Sequence, residues 1–156
     1  MAPRPASTVA LPAFDLELDA QLCFALYSTM LGVNKVYRGL LKRLGLTYPQ
    51  YLVMLVLWQQ DAVTLSDIGE RLFLDSATLT PLLKRLETAS LIQRARNPAD
   101  ERQVVITLTS AGKALRKKAE EVPGCVAHSM GLARPDLAEL HKRLVQMRSN
   151  LFRNAA

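Results

Sequence analysis

The sequence predicts a mainly α-helical fold with one small antiparallel hairpin, and three observations carry this prediction. Apolar residues recur at helical spacing over most of the chain, for example from Pro135 to Phe152. β-branched residues alternate with other residues in only two short segments, LIQRAR (91–96) and QVVITLT (103–109). The 156 residues are 49% hydrophobic, which suits one compact domain with a substantial core.

The chain begins with a segment, residues 1–14, that we interpret as a flexible N-terminal arm. It contains three prolines and no sustained apolar run, which argues against a signal peptide. The longest apolar run, 51–58, is far shorter than the ~20 residues that span a bilayer. We therefore expect a cytoplasmic protein with no membrane association. In that reducing compartment, Cys23 and Cys125 indicate redox chemistry more than a permanent disulfide.

Two helices are predicted next. The first covers about residues 15–44 and ends at Gly45, a residue suited to a left-handed cap. It is apolar on more than one side, which in a small chain indicates that a partner subunit covers the second side. The next helix starts after Thr47, whose spacing to Gln50 matches a capping box, and the run 51–58 makes it almost wholly buried.

The central stretch, residues 63–112, predicts two short helices joined by a tight turn. Thr64 caps the first of them, with Asp67 as the acidic partner of the cap. The chain then turns through Leu74 and Asp75, and either Asp75 or Ser76 caps the second helix. The residues expected to face inward are Leu65, Ile68, Leu72 and Phe73 of the first helix and Leu79, Leu82, Leu83 and Leu86 of the second.

The opposite face of the second helix is small, hydroxylic and basic, so it can approach a phosphate backbone and hydrogen-bond to base edges. Pro81 lies beyond the first turn of this helix and leaves the carbonyl of Ala77 without its helical partner. Such departures from local rules are concentrated at working surfaces. The face comprises Ser76, Ala77, Thr80, Pro81, Lys84, Arg85 and Thr88.

The two strands that follow are joined by NPADER (97–102), in which Asn97–Pro98 and Asp100 indicate a turn. A hairpin with an arginine-bearing loop directly after two such helices makes a wing. Each part alone is commonly an ordinary helix pair or hairpin, but the ordered combination predicts a DNA-binding winged helix-turn-helix. The net charge of +6 adds little, because acidic and basic residues balance within 63–112.

Two helices complete the predicted fold. One starts near Ser110 and is expected to break at Pro123–Gly124, and an amphipathic helix follows from Pro135 to Phe152. Long N- and C-terminal helices, about 15–60 and 110–154, would then form a dimerisation region. Together with a winged helix-turn-helix at about 61–112, they make up a single domain over 15–156.

The segment DERQVVITLTSAG, Asp100–Gly112, resembles the wing of the MarR repressors, and the resemblance extends over nearly the whole chain. It implies a homodimer that places its second helices in successive major grooves of a pseudo-palindromic double-stranded operator. It also implies minor-groove contacts from Arg94, Arg96 and Arg102, with Asp100 bracing the wing. Ser90 departs from the family pattern, since these repressors commonly have Gly after the second helix.

LCFALYS (22–28) and GLTYPQYLVMLVLW (45–58) resemble the organic-hydroperoxide sensors among these repressors, the OhrR group. That resemblance implies that Cys23 is oxidised to a sulfenic acid, which then forms a disulfide and releases the operator. The residues it implies are Cys23 as the peroxide-reactive thiol, Tyr37 and Tyr48 as its hydroxyl partners, Tyr27 nearby, and Cys125 as the second cysteine.

Helix geometry limits how these sensing residues can meet. Tyr37 lies 14 residues after Cys23, so it is nearly on the same face but ~21 Å further along one helix. Their cooperation therefore requires Tyr37 of a partner subunit, with the two long helices crossing. We expect the disulfide to join Cys23 to Cys125 of the partner, and an intrachain bridge stays open.

Other functions also stay open. Cys23 alone is equally consistent with a buried structural cysteine. The protein would then be a MarR-type repressor released by a small aromatic ligand. A thiol peroxidase ranks last, since a winged motif has no purpose in an enzyme. His128 and His141 lack metal-ligand spacing, and no catalytic or phosphate-binding motif occurs, so we expect no metal, no cofactor and no enzymatic activity.

Overall fold

The computed structural model describes residues 16–155, which form seven α-helices and a three-stranded antiparallel sheet. The arm expected at residues 1–14 lies outside the described residues. In chain order the elements are α1 (Leu22–Leu41), α2 (Tyr48–Gln59), β1 (Val63–Thr64), α3 (Leu65–Leu72), α4 (Ser76–Thr88), β2 (Ile92–Asn97), β3 (Asp100–Leu108), α5 (Ser110–Ala119), α6 (Val122–Ser129) and α7 (Arg134–Asn154). Within residues 16–155, no helix combines the length and apolar content needed to cross a bilayer.

The first helix is shorter than the predicted 15–44. It begins at Leu22 because the backbone of Gln21 is extended, with φ −82° and ψ 118°, and a separate 3-10 turn covers Leu18–Ala20. At the other end the helix tightens into a 3-10 turn, Lys42–Leu44, a common way to satisfy the last carbonyls. Gly45 follows with φ 67°, which confirms the predicted left-handed cap.

The core surrounds α2, which is buried along most of its length as predicted. Its capping box is present, since the Thr47 hydroxyl accepts from the Gln50 N–H and the Gln50 side chain accepts from the Thr47 N–H. By contrast, α1 has one fully buried residue, Leu41, and α7 has none. The most buried side chains of the core are Leu41, Tyr51, Val53, Met54, Leu57, Ile68, Leu79, Leu83, Leu86, Ile92, Ile106 and Val122.

Helices α3 and α4 begin where their caps predict. Thr64 and Asp67 form a reciprocal capping box, and the Asp75 carboxylate accepts from the Thr78 N–H at 2.6 Å. The prediction that Phe73 faces inward is wrong. Its backbone is left-handed, with φ 57°, so the side chain leaves the apolar stripe of α3 and is 50% exposed.

The wing contains more strand than predicted. β2 and β3 continue through most of NPADER, so the connecting turn is only Pro98–Ala99. The order is β1-β3-β2, and β1 pairs with β3 through Val63 and Ile106. β1 is not predicted from the sequence, because two residues are too few to show an alternating pattern.

Gly112 lets the first turn of α5 pack closely against Leu91, just after the end of α4. A Cβ atom at this position would lie 2.1 Å from the carbonyl oxygen of Leu91, a distance that no side chain can tolerate. The Gly112 carbonyl also accepts a buried hydrogen bond from Trp58 Nε1 at 2.9 Å. A glycine is therefore required where the wing joins the first C-terminal helix.

The helix break expected at Pro123–Gly124 is misplaced. α5 ends at Ala119, and Pro123 lies in the first turn of α6, where its missing N–H costs no hydrogen bond. Gly124 is helical, and Cys125 lies within α6 on regular backbone. The break lies between Ala119 and Val122, so Cys125 does not follow it directly. The last predicted helix, by contrast, agrees with α7 to within about two residues.

Candidate nucleic-acid interface and thiol site

The outer face of α4 is an exposed surface with the composition expected for DNA contact. Its apolar residues point into the core, which leaves the opposite side free. Thr80 is partly buried, and its hydroxyl donates to the Ser76 carbonyl at 2.7 Å. Pro81 is accommodated inside the helix on this same side. The exposed residues of the face are Ser76, Ala77, Pro81, Lys84, Arg85 and Thr88.

The wing presents Arg96 and Arg102, both of which are exposed. Asp100 accepts a hydrogen bond from the Arg102 N–H at 3.1 Å, a geometry that suits the bracing role assigned to it. Asn97 holds the turn from the other strand, because its side-chain oxygen accepts from the Ala99 N–H at 3.0 Å. These bonds order the backbone that carries the two arginines.

Arg94, unlike the exposed Arg96 and Arg102, is held by a carboxylate of the protein. The Glu87 carboxylate accepts from its Nε at 2.8 Å and from a terminal guanidinium nitrogen at 2.6 Å. The hydrogen bonds from Arg94 hold the pKa of Glu87 below its ordinary value. In this structure Arg94 therefore links β2 to α4, whereas the resemblance to the MarR repressors implies a minor-groove contact for it.

Ser90 occupies the left-handed position where related repressors commonly have glycine. Its φ is 57°, and the Leu91 N–H closes the helix end by donating to the Leu86 carbonyl at 3.0 Å. The Thr109 hydroxyl donates to the Ser90 carbonyl at 2.7 Å. Ser90 thus adopts the conformation of the glycine it replaces.

Three tyrosines form a cluster between α1 and α2. The rings of Tyr37 and Tyr48 stack at 4.1 Å between centroids, and Tyr51 lies 5.8 Å from Tyr37. Burial, with the nearby Tyr48 and Tyr51, raises the pKa of Tyr37 to about 12. Burial also raises the pKa of Tyr48, although the hydrogen bond between the two hydroxyls opposes that change. Both hydroxyls therefore keep their protons at neutral pH and can donate hydrogen bonds.

Cys23 lies outside this cluster. It is exposed near the start of α1, together with Tyr27. α1 is continuous from Cys23 to Tyr37, so the helical rise places the two residues ~21 Å apart along the axis. The single chain brings Tyr37 and Tyr48 together, as predicted for two partners of one thiol, but it does not bring Cys23 to them.

A cavity of about 480 Å³ opens beside Tyr48, between α1 and the start of α2. Its basic side is formed by Lys35 and Arg38, and Asn34 adds an amide. The remaining lining residues are Leu31, Leu46, Thr47, Tyr48 and Pro49. This cavity gives solvent access to the tyrosine cluster from outside the chain.

The N-terminal part of α1 and much of α7 leave large apolar side chains exposed, which is the pattern expected of a surface covered by a second subunit. Cys125 is partly buried on α6, and both cysteines are free thiols. Residues 16–155 contain no group of three or more His, Cys, Asp or Glu side chains placed to hold a metal ion. The exposed apolar residues include Leu22, Tyr27, Met30, Leu31, Leu140, Leu144 and Leu151.

Two residues with clear roles in this site are absent from the sequence predictions. Glu87 holds Arg94, and Asp61 accepts from the Leu108 N–H at 2.8 Å and pairs with Lys113 at 3.2 Å. Each bridges two elements. No local sequence pattern reveals such bridges, and only the equal numbers of acidic and basic residues within 63–112 suggest that carboxylates pair with cations there.

A family model described as transcriptional regulator SarA/Rot matches residues 35–122, more than half of the chain. The chain is 47% identical over 138 residues to the HTH-type transcriptional regulator TtmR of Methylorubrum extorquens (strain PA1), covering 88% of this chain and 71% of that protein. It is 43% identical over 136 residues to the organic hydroperoxide resistance transcriptional regulator of Bacillus subtilis (strain 168), covering 87% and 92%.

Solved structures of AbfR, a protein of Staphylococcus epidermidis, also match. Reduced AbfR bound to DNA gives a TM-score of 0.73 at 38% identity, over 86% of this chain and 94% of that one. Disulfide-formed AbfR gives 0.58 at the same identity, over 83% and 91%. Overoxidized AbfR bound to DNA gives 0.72, so the fold described above is nearer to both DNA-bound forms of that protein than to its disulfide form.

Proposed function

Because this chain belongs to the SarA/Rot family of transcriptional regulators, with the winged helix-turn-helix of the MarR type, we propose that it is a repressor that organic hydroperoxides inactivate. It binds DNA as a regulator of the MarR and OhrR type. The finer proposal, oxidation at Cys23, rests chiefly on one observation: an exposed thiol at one end of α1 and two protonated tyrosine hydroxyls at the other.

We propose that DNA is bound by a homodimer whose two α4 helices enter successive major grooves of a pseudo-palindromic operator, about 34 Å apart. The exposed face of α4 would read base edges, while Arg96 and Arg102 of the wing reach the adjacent minor groove. The likeness to DNA-bound AbfR supports this arrangement. Arg94 is assigned a structural role, since Glu87 engages its guanidinium.

The dimer would also complete the sensor. Crossed α1 helices would place Cys23 of one subunit in the cavity beside Tyr48 of the other, where Tyr48 can donate to sulfur and Tyr37 can do so once its hydroxyl turns away from Tyr48. Such hydrogen bonds stabilise the thiolate relative to the thiol. The exposed apolar residues Leu22, Met30 and Leu31 along α1 supply the surface that such a crossing would bury.

The proposed chemistry has two steps. The Cys23 thiolate attacks one oxygen of the hydroperoxide, the O–O bond breaks, and the alcohol leaves after taking up a proton, so that sulfur is oxidised to sulfenic acid. The Cys125 thiol of the partner then attacks that sulfur, a disulfide forms, and water leaves. Because Cys125 lies in a regular helix, α6 would have to move as a unit to bring the two thiols together.

Such a movement would change the spacing of the two α4 helices and so release the operator. The AbfR comparisons support this direction. The chain is more similar to the two DNA-bound forms, one reduced and one overoxidized, than to the disulfide form, so the disulfide is the change that these comparisons set apart. A reduced protein would then be the binding-competent state, and an oxidised one would favour an arrangement that no longer matches the major grooves.

The proposal is tested by measuring binding to a labelled fragment of the protein's own promoter region by fluorescence anisotropy. We expect tight binding by the reduced protein, release after addition of cumene hydroperoxide, and recovery after dithiothreitol. Binding that persists after full oxidation of Cys23 would refute the sensor. An absence of sequence-preferring DNA binding would refute the repressor itself.

A second candidate function is favoured by another cavity. It measures about 230 Å³ and lies between α2, α5 and the start of α6, where Tyr51 and Trp58 face Arg116. Aromatic walls and a guanidinium suit a small aromatic acid. Salicylate would then release the operator from a Cys23→Ser protein. If salicylate has no effect and peroxide releases wild type alone, the redox proposal is retained.

A further inference from the structure

The turn between α3 and α4 is contacted by the far end of the chain. Phe73, the residue that ends α3, stacks on Phe152 of α7 with 5.0 Å between ring centroids and 28° between the planes. The Arg148 guanidinium lies 4.5 Å from the centroid of the same Phe73 ring. Arg148 and Phe152 are four residues apart, so one side of α7 makes both contacts.

Phe73 lies in the turn that immediately precedes the start of α4. Its left-handed backbone reverses the chain, and the Leu74 N–H then donates to the Gly69 carbonyl at 2.9 Å. The Asp75 side chain caps α4 only two residues after Phe73. The Phe73 ring itself is half exposed and is not anchored in the core. The orientation of the ring therefore depends on the residues that cover it. Because the turn is short, a change in its orientation would change the position of the start of α4.

We propose that Phe152 and Arg148 are positioning residues for DNA binding: by holding the Phe73 ring, α7 fixes the turn from which α4 enters the major groove. This inference rests on the proposed DNA-binding function and assigns residues outside the winged segment to it. Aromatic stacking and a cation over a ring are both directional, so the contact restrains the orientation of the turn as well as its place.

The test compares Phe152→Ala with Leu151→Ala in the full-length dimer. The two side chains are nearly equally exposed, 57% and 60%, but Leu151 is the neighbouring position on α7 and points about 100° away from Phe152 around the helix. We expect Phe152→Ala to bind the promoter fragment about 3- to 10-fold more weakly. Binding to non-specific DNA should be unchanged, because the wing arginines are intact. Equal losses in both variants would overturn the proposal.

A double-mutant cycle with Phe73→Ala isolates the contact. Phe73→Ala removes both the stack and the Arg148 contact, so adding Phe152→Ala to it should cause no further loss, and Phe152→Tyr should restore binding. Additive losses would overturn the inference. Sedimentation of each variant checks that the dimer is retained.

Hydrogen exchange separates this inference from the repressor proposal, because it needs no DNA. The amides of residues 73–75 should exchange faster in Phe152→Ala and not in Leu151→Ala. If wild type fails to bind DNA, the repressor proposal fails and the positioning role fails with it. If wild type binds and the exchange of these amides is the same in both variants, only the positioning role fails.

Discussion

Glu87 of α4 and Arg94 of β2 join the helix proposed to face DNA to the wing that follows it. The Glu87 carboxylate accepts from the Arg94 backbone N–H at 3.2 Å and from two nitrogens of its guanidinium. Both side chains are partly buried against the protein. The pair therefore links α4 to the hairpin, and the structural role proposed for Arg94 follows from it.

Replacing Arg102 and replacing Arg94 should have different effects on the salt dependence of operator binding. Arg102→Ala should cost about 1–3 kcal/mol of operator binding and reduce the slope of log K against log salt by about one, since an exposed cation that neutralises phosphate is lost. Arg94→Ala should leave that slope unchanged while lowering the thermal midpoint. Anisotropy titrations over a range of salt concentrations measure both. A slope reduced equally in the two variants would contradict the structural role of Arg94.

Replacing the sensing thiol should uncouple DNA binding from peroxide. Cys23→Ser is expected to bind the operator with near wild-type affinity, because Cys23 lies near the start of α1 and outside the winged segment. The complex should then be insensitive to cumene hydroperoxide. Cys125→Ser serves as the matched control, since it retains the first oxidation step. Release of DNA from oxidised Cys23→Ser protein would exclude Cys23 as the trigger.

Oxidation should also link two subunits covalently. We expect a disulfide dimer on a non-reducing gel, reversed by dithiothreitol and absent in both Cys23→Ser and Cys125→Ser. Without a resolving thiol, Cys125→Ser should pass slowly to the irreversible sulfinic acid, which mass spectrometry detects. An oxidised monomer with no free thiols would instead mean an intrachain bridge and would contradict the crossed arrangement of α1.

Replacing Ser90 tests how much its left-handed backbone conformation costs in stability. Its φ of 57° is unfavourable for any residue with a Cβ atom, so Ser90→Gly should raise stability by about 0.5–1 kcal/mol, net of the extra flexibility of the unfolded chain. Urea unfolding measures the change. Ser90→Ala keeps the strain and should give no gain. A less stable Ser90→Gly protein would mean that the Ser90 side chain contributes more than its backbone costs.

Asp61 should make stability depend on pH in the acid range. Burial alone would raise its pKa, but hydrogen bonds from the Leu108 and Ala62 N–H groups, together with Lys113, hold the pKa below its ordinary value of 3.8. The stabilisation is therefore complete above that value and is lost as the pH falls through the folded-state pKa. Asp61→Asn should be less stable than wild type at neutral pH, and the difference should shrink in acid. A difference independent of pH, measured by urea unfolding, would contradict this.

Much of the fold follows from local sequence, as the helix starts demonstrate. Thr47 with Gln50, Thr64 with Asp67, and Asp75 each satisfy N–H groups within three residues, so spacing alone predicts them. The apolar stripe of α4 is equally local, since it depends only on helical periodicity. The break after α5 was misplaced because proline is tolerated in a first helical turn, and the sequence does not show which turn is first.

What the sequence by itself determined was the order of α1 to α5 with the hairpin β2–β3, the caps, the exposed basic face of α4 and the separation of Cys23 from Tyr37 along α1. Only the tertiary structure decided the partners of Arg94, Phe73 and Tyr37. The Glu87 carboxylate accepts from Arg94, Phe152 stacks on Phe73, and Tyr48 stacks on Tyr37. The physical reason is the distance along the chain over which each kind of interaction acts. Helix periodicity and capping depend on neighbours within one turn, whereas an ion pair or a ring stack depends on which distant element the folded core places alongside.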